Sequence, residues 1–203
     1  MARITDATAL RALYGAVNPR SAKKVMPALD GHCRRIIALS PFAVLATIGP
    51  DGLPDLSPRG DAPGFIRVTE DGALLVPDRR GNNRLDSLLN ILGHPEVALL
   101  FLVPGLDETL RVAGEAEIRD DAELCASLAM DGKAPATVLR ITVREAFLQC
   151  GRAPMRGRLW DPDARIERAL LPSMAAMLKD QIAFAEEAES QDAAEARYRA
   201  SLY

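Results

Sequence analysis

The chain has 203 residues, enough for one substantial core and short for two independent domains. Hydrophobic residues make up 48% and charged residues 26%, which excludes wholesale disorder. A net charge of -3 and an aromatic fraction of 4% argue against a nucleic-acid-binding surface, a stacking platform or an anionic-membrane binder, so any anionic ligand must meet a local basic cluster.

The first forty residues read as helices. Asp6 caps a segment carrying Leu10, Leu13 and Tyr14. After the Asn18-Pro19 break, Ser21 caps a second one with Val25, Met26 and Leu29 on one side. HCRRIIALS forms a third, ending before Pro41 because a residue preceding proline avoids the helical region. Cys33 there reads as packing. The N-terminus lacks the continuous apolar region of a signal peptide, and no apolar run reaches the roughly 18 residues a membrane helix needs. Three widely spaced cysteines, Cys33, Cys125 and Cys150, form neither a disulfide framework nor a zinc pattern. With only His32 and His94, a histidine-rich metal centre is not expected. The expectation is a cytoplasmic protein.

From Phe42 the character turns to β. FAVLATIG precedes a Pro50-Asp51-Gly52 turn, and LPDLSPRGDAPG is too proline-rich for a central strand. GFIRVT and GALLVPD flank Glu70-Asp71-Gly72, a hairpin signal. A polar loop, RRGNN, leads into a helix over Arg84–Leu92 whose Leu85, Leu88, Leu89 and Leu92 share one face. VALLFLV, between prolines, suits a strand buried on both faces. TLRVAGEAEI and VLRITVREAFLQC alternate as strands, with a short helix after Asp120-Asp121 between them. Cys150, at the second strand's end, reads as packed. The basic loop GRAPMRGRLWDP leads to a helix from about Ala164 to Glu189 and a loosely held tail ending in Tyr203. This order predicts one domain of the mainly β class: residues 1–40 helical, 41–160 an antiparallel barrel core, and 161–203 a helix and tail.

The most informative segment runs from Val76 to Ile91. A strand delivers the chain to a glycine-bearing loop and a helix follows at once, so free N–H groups and the positive end of a helix dipole face outward together. Gly81 permits close backbone approach, and Arg79, Arg80 and Arg84 supply fork-shaped donors. The alternative is that Asn82 or Asn83 caps the helix and the arginines are solvated. No Gly-Lys-Ser/Thr and no GxGxxG occurs. Three further basic features stand apart in sequence. Arg59, beside Gly60 and Asp61, lies in a proline-bounded bend and either faces a ligand or pairs with Asp61. Arg152, Arg156 and Arg158 surround Trp160, the only tryptophan, and either close over a planar anion or form a surface loop. Arg111 alternates with apolar residues on a strand.

Taken in order, PFAVLATIGPDGLPDLSPRGD, LLVPDRRGNNRLDSLLNI, TLRVAGEAEI and FLQCGRAPMRGRLW resemble the pyridoxamine 5'-phosphate oxidase-like flavoprotein superfamily over about Phe42 to Asp161. The resemblance implies an antiparallel split β-barrel that forms a homodimer with FMN between the subunits. It further implies phosphate contacts at Arg59, Arg79, Asn82, Asn83 and Arg84, with Gly60 and Asp61 beside them. Val76, Pro77 and Asp78 would run along the isoalloxazine ring, Arg111 would lie near the flavin, and Gln149, Arg156 and Trp160 would come from the partner subunit. The chain departs from pyridoxamine phosphate oxidase itself in having Arg156-Gly157-Arg158-Leu159-Trp160 where that enzyme has Arg-x-His, and no histidine follows His94. Vitamin B6 oxidation is therefore not expected. No side chain stands out as an acid–base catalyst, so the reaction implied is FMN-dependent redox chemistry on an unassigned small molecule, NAD(P)H among the possible partners. The alternative is a flavin- or haem-binding split barrel without turnover, with His32 or His94 as the only axial choices for haem.

Overall fold

The computed structural model describes residues 3–182 and 189–203. Three short helices open it: α1 (Ala7–Tyr14), α2 (Pro19–Lys23) and α3 (Gly31–Leu39). Asp6 caps α1 by accepting from the Ala9 amide at 2.8 Å, but α1 buries none of its residues. The second helix begins earlier than Ser21. Asn18 is its cap and Pro19 its first residue, where a missing N–H costs nothing. Val25, Met26 and Leu29 consequently fall outside it: Met26 bridges to Ala146 in extended conformation, and Leu29 enters the core. On α3, capped by Asp30, Cys33 and Ile37 are buried. Burial and the nearby Asp30 push the Cys33 thiol up to about 11, so it packs and does not react.

Seven strands follow: β1 (Phe42–Ile48), β2 (Pro54–Gly60), β3 (Arg67–Val68), β4 (Leu74–Pro77), β5 (Glu96–Val103), β6 (Leu106–Arg119) and β7 (Val138–Gln149). Helix α4 (Asp86–Gly93) precedes β5, and α5 (Ala122–Ser127) precedes β7. The sheet order is β2-β1-β5-β6-β7-β4-β3, every pairing antiparallel. The proline-rich strand β2 takes an edge, where Pro54 and Pro58 leave no ladder bond unmade. The sheet curls into a split barrel around Leu45, Leu99, Phe101, Leu110, Val112, Leu139 and Ile141, closed by Cys33 and Ile37 of α3 and Ile91 of α4.

Several expectations need correction. In β5 only Val97, Leu99 and Phe101 are buried while Ala98, Leu100 and Leu102 are half-buried, so one face is incompletely covered. Of the expected leucine face of α4 only Leu88 packs on the core: Leu85, Leu89 and Leu92 are exposed, whereas Ser87, Asn90 and Ile91 are buried. A polar network lies beneath the helix. Asn90 Nδ2 donates to Thr47 Oγ1 at 3.0 Å, and the Thr47 and Ser87 hydroxyls both donate to Asp55. Cys150 is exposed, not packed. The basic loop after β7 contains a helix, α6 (Arg152–Arg156), against β6. Over the expected Ala164–Glu189 helix the chain instead forms a 3-10 turn (168–170) and α7 (Met174–Ile182), with Pro172 between them barring a continuous helix; another 3-10 turn (162–164) precedes them and α8 (Gln191–Ala200) follows. Residues 183–188 of that expected helix lie outside the described residues. Among the described residues no helix is long and apolar enough to cross a membrane.

Candidate functional site

A cleft of about 990 Å³ opens between β2, the end of β4, the loop into α4 and the loop between α5 and β7. That volume is at the upper end of the range for small-molecule sites. Of the residues singled out from sequence, Arg59, Gly60, Pro77, Asp78, Arg79, Asn82, Asn83 and Arg84 line it. Val76 is fully buried on β4 and Asp61 is buried behind the wall. The strand–loop–helix from Val76 to Ile91 and the bend at Arg59 thus meet at one site, although 19 residues separate Arg59 from Asp78.

The pairing of charges differs from the local expectation. Arg59 bonds Asp78, Nη1 to Oδ1 at 2.6 Å, and Arg79 Nε bonds Asp61 Oδ2 at 2.7 Å. Arg79 Nη1 also donates to the Leu128 carbonyl at 2.8 Å. Two crossed ion pairs therefore tie β2 and the following bend to the end of β4. Asp61's side chain is 0% exposed. Burial pushes its carboxyl up, but donors from the Tyr203 hydroxyl, the Ala62 amide and Arg79, with Arg79's charge, outweigh that and hold it below the usual carboxylate range. The Arg59 Nε is buried without a partner, as is the hydroxyl of Thr137 across the cleft.

The loop into α4 is unusual in its backbone. Asn83 and Leu85 both adopt positive φ, 59° and 61°. Asparagine tolerates this region, but for leucine it is a strained choice held by its surroundings. Leu85 occupies the cap position and no side chain caps the helix. Asn82 Oδ1 instead accepts from the Arg84 amide within the loop, so the asparagines do not cap α4. The N–H groups at the start of α4 border the cleft. Arg84 pairs with Asp86 at 2.7 Å, its side chain 72% exposed. An exposed pair of this kind is weak and screened by solvent, so a phosphate can displace Asp86 from Arg84.

The other predicted residues lie elsewhere on this chain. Arg111 on β6 faces outward, 3.7 Å from Glu145 and stacked over Phe147. Gln149 accepts from the Thr109 hydroxyl, Trp160 Nε1 donates to the Leu106 carbonyl at 2.9 Å, and Arg156 is exposed on α6. None of the four lines the cleft. Neither His32 nor His94 lines it, and among the described residues no group of three histidine, cysteine or acidic side chains gathers for a metal. Sequence reasoning missed Asp55, Ser87, the Lys133–Thr137 loop and Tyr203, all on the cleft wall. The proline and small residues of KAPAT signalled a loop but not its position. Tyr203 carried no local signal at all, and it is well held, not loose.

The curled antiparallel sheet with its cleft between an edge strand and a strand–loop–helix defines a split-barrel protein. The profile of the pyridoxamine 5'-phosphate oxidase family matches residues 29–150, more than half of the chain. The chain belongs to that family. Among solved structures it is similar to a variant of HupZ from Group A Streptococcus, with 19% identity over 59% of this chain and 98% of that one, at a TM-score of 0.48. It is similar to the conserved protein Rv2991 of Mycobacterium tuberculosis, 17% identical over 73% of this chain and 98% of that one, at 0.47. A pyridoxamine 5'-phosphate oxidase-related, FMN-binding protein of Nostoc punctiforme is 15% identical over 57% and 76%, at 0.41. No curated protein matches the chain.

Proposed function

We propose that the chain is an FMN-dependent oxidoreductase acting on a small molecule in the cytoplasm, one domain with its barrel core at 41–160 and its flavin shared across a homodimer. The observation that carries this reading is the cleft itself: about 990 Å³, walled by Arg59, Arg79 and Arg84 and bordered by the uncapped start of α4, in a member of this family. The residues suit the cofactor. The α4 amides and Arg84 provide donors for a phosphate, Asn82 and Asn83 shape the loop around it, and the unpartnered Arg59 Nε marks unmet hydrogen-bonding capacity in the same wall. Gly60 lines the cleft beside Arg59, and the Val76-Pro77-Asp78 strand end flanks the ring. Asp61 fixes Arg79. When bound, the flavin supplies hydride acceptance and donation, and the protein supplies orientation, charge and exclusion of water. In the homodimer, the partner's copies of Arg111, Gln149, Arg156 and Trp160 complete the site. The exposed Leu85, Leu89 and Leu92 of α4 and Leu53 and Leu56 near β2 provide apolar surface for that association.

The purified protein is expected to show a flavin spectrum, or to acquire one on addition of FMN, with FMN released on denaturation. A colourless protein that takes up no FMN overturns the reading, and a Soret band replaces it with haem. Arg84→Ala is expected to weaken FMN binding about 10- to 100-fold, the loss of about 1.5–3 kcal/mol in charge-assisted bonds, while riboflavin binding changes little. Equal losses for the two ligands in a fluorescence titration place Arg84 away from the phosphate. Light scattering tests the dimer: a monomer with full FMN occupancy removes Arg156 and Trp160 from the site. Anaerobic reduction with NADH or NADPH then identifies the electron donor.

A further inference from the structure

The segment after α8 returns to the cleft. Ser201 Oγ closes the helix on the Arg197 carbonyl at 2.9 Å, and the next two residues reach Tyr203. Tyr203 is fastened at two points. Its hydroxyl donates to Asp61 Oδ1 at 2.7 Å, and its main-chain oxygen accepts from Lys133 Nζ at 2.7 Å. Its ring lies 5.9 Å from the Arg79 guanidinium. Tyr203 and Lys133 both line the cleft. Among the described residues no barrel strand packs extensively on α8; Arg168 and Ser173 tie its start to the segment before α7, and Tyr203 fastens its far end to the barrel. Asp61, buried and charged, accepts from three groups at once, two of them side chains 18 and 142 residues away.

We propose that residues 201–203 form a latch that closes the Asp61–Arg79 end of the cleft and retains the ligand, with Tyr203 as its bolt. The inference rests on the flavin reading for the identity of the ligand, though not for the latch contact. Three features support retention by a wall. The hydroxyl bond is charge-assisted and its acceptor is out of water, which makes it stronger than a surface contact. Undocking would strip a buried carboxylate of one donor, so the docked arm is the favoured state. Lys133 lies in the loop between α5 and β7 and Asp61 in the bend after β2, so an arm held by both joins two elements at that end of the cleft.

Two measurements test the latch. In flavin-free protein, Asp61→Ala, Tyr203→Phe and the double variant are melted. The double variant is expected to melt close to Asp61→Ala alone, because the two side chains share one bond. Strictly additive losses overturn the latch whatever the cofactor. In stopped-flow with FMN, Tyr203→Ala is expected to raise the dissociation rate at least 10-fold, with Tyr203→Phe, which keeps the ring, in between, and the association rate within about threefold of the parent. A merely structural role lowers the melting point and leaves those rates alone. Unchanged dissociation overturns retention, as does tighter binding in Tyr203→Ala, which makes the arm an occupant that competes with ligand. If the melting cycle couples but no variant takes up FMN, the flavin reading falls and retention with it, while the latch contact stands.

Discussion

Asp61→Ala is expected to lower the melting temperature by about 10 °C. The side chain is 0% exposed and accepts from Arg79 Nε, the Tyr203 hydroxyl and the Ala62 amide. Removing it leaves the Arg79 guanidinium, only 16% exposed, with the Leu128 carbonyl as its remaining acceptor. Breaking a buried pair on one side costs about 3–5 kcal/mol, and for a chain of this size each kcal/mol moves the midpoint by about 2–4 °C. Asp61→Asn, which keeps the shape and one acceptor, is expected to cost less than half as much. The same carboxylate gives the protein a pH signature. Its folded value lies below its unfolded one, so its contribution is fully present above about pH 4 and is lost as acid protonates it. Melting curves from pH 6 down to 3 are expected to fall more steeply for the parent than for Asp61→Asn. Parallel curves would show that the carboxylate is not held ionised by its partners.

Gly114→Ala is expected to be as damaging, by a different cause. Opposite Ala113 and Gly114, β7 carries one extra residue, Arg144, so the register of β6 and β7 shifts there. At that bulge a Cβ on Gly114 would meet the Thr142 carbonyl oxygen at 2.2 Å and Ile141 Cγ2 at 3.1 Å. The first is backbone in the longest strand pair and cannot swing aside, so the strands must separate. A cost of about 3 kcal/mol or more follows, with a melting point about 10 °C lower or loss of the folded protein. Gly81→Ala is the control. Nothing lies within 4 Å of the added carbon and its φ is not in the left-handed region, so stability is expected to stay within about 0.5 kcal/mol. If Gly81→Ala nonetheless weakens FMN, that glycine serves the ligand, not the fold.

These residues also show what the sequence could and could not carry. The edge position of β2 was legible in Pro54 and Pro58, and the strand character of β6 and β7, though not their pairing, in the alternation of Leu110 and Val112, Leu139 and Ile141. The meeting of Arg59 with Arg79, Asn82 and Arg84 at one cleft followed the order of the segments, not any local pattern. Orientation was harder. Four leucines at and along α4 pointed to the core, yet only Leu88 packs there, and Thr47, Asp55, Ser87 and Asn90 form a hydrogen-bonded set beneath the helix while the other three stand in solvent. That set spans three elements, and no spacing within the helix encodes it. Pro172, which bars a continuous helix between the 168–170 turn and α7, was readable as a break although the expected helix ran across it. The pairing of Arg59 with Asp78 was not, since a short sequence separation from Asp61 favoured the wrong partner. Tyr203 lies 142 residues from Asp61, beyond any local rule.

The place of β2 at the sheet's margin has a bearing on how such a protein can diversify. Asp55 through Gly60 furnish a long side of the cleft, yet β2 is bonded to β1 alone and its alternate side chains stand in solvent. No residue of the core cluster sits on β2. Outside Asp55 and Arg59, which bond other elements, substitutions along β2 and in the loop into α4 can therefore remodel ligand choice at little risk to the barrel. A library confined to Ser57 and Arg80, which line the cleft without belonging to the core, would sample new ligands on an intact scaffold.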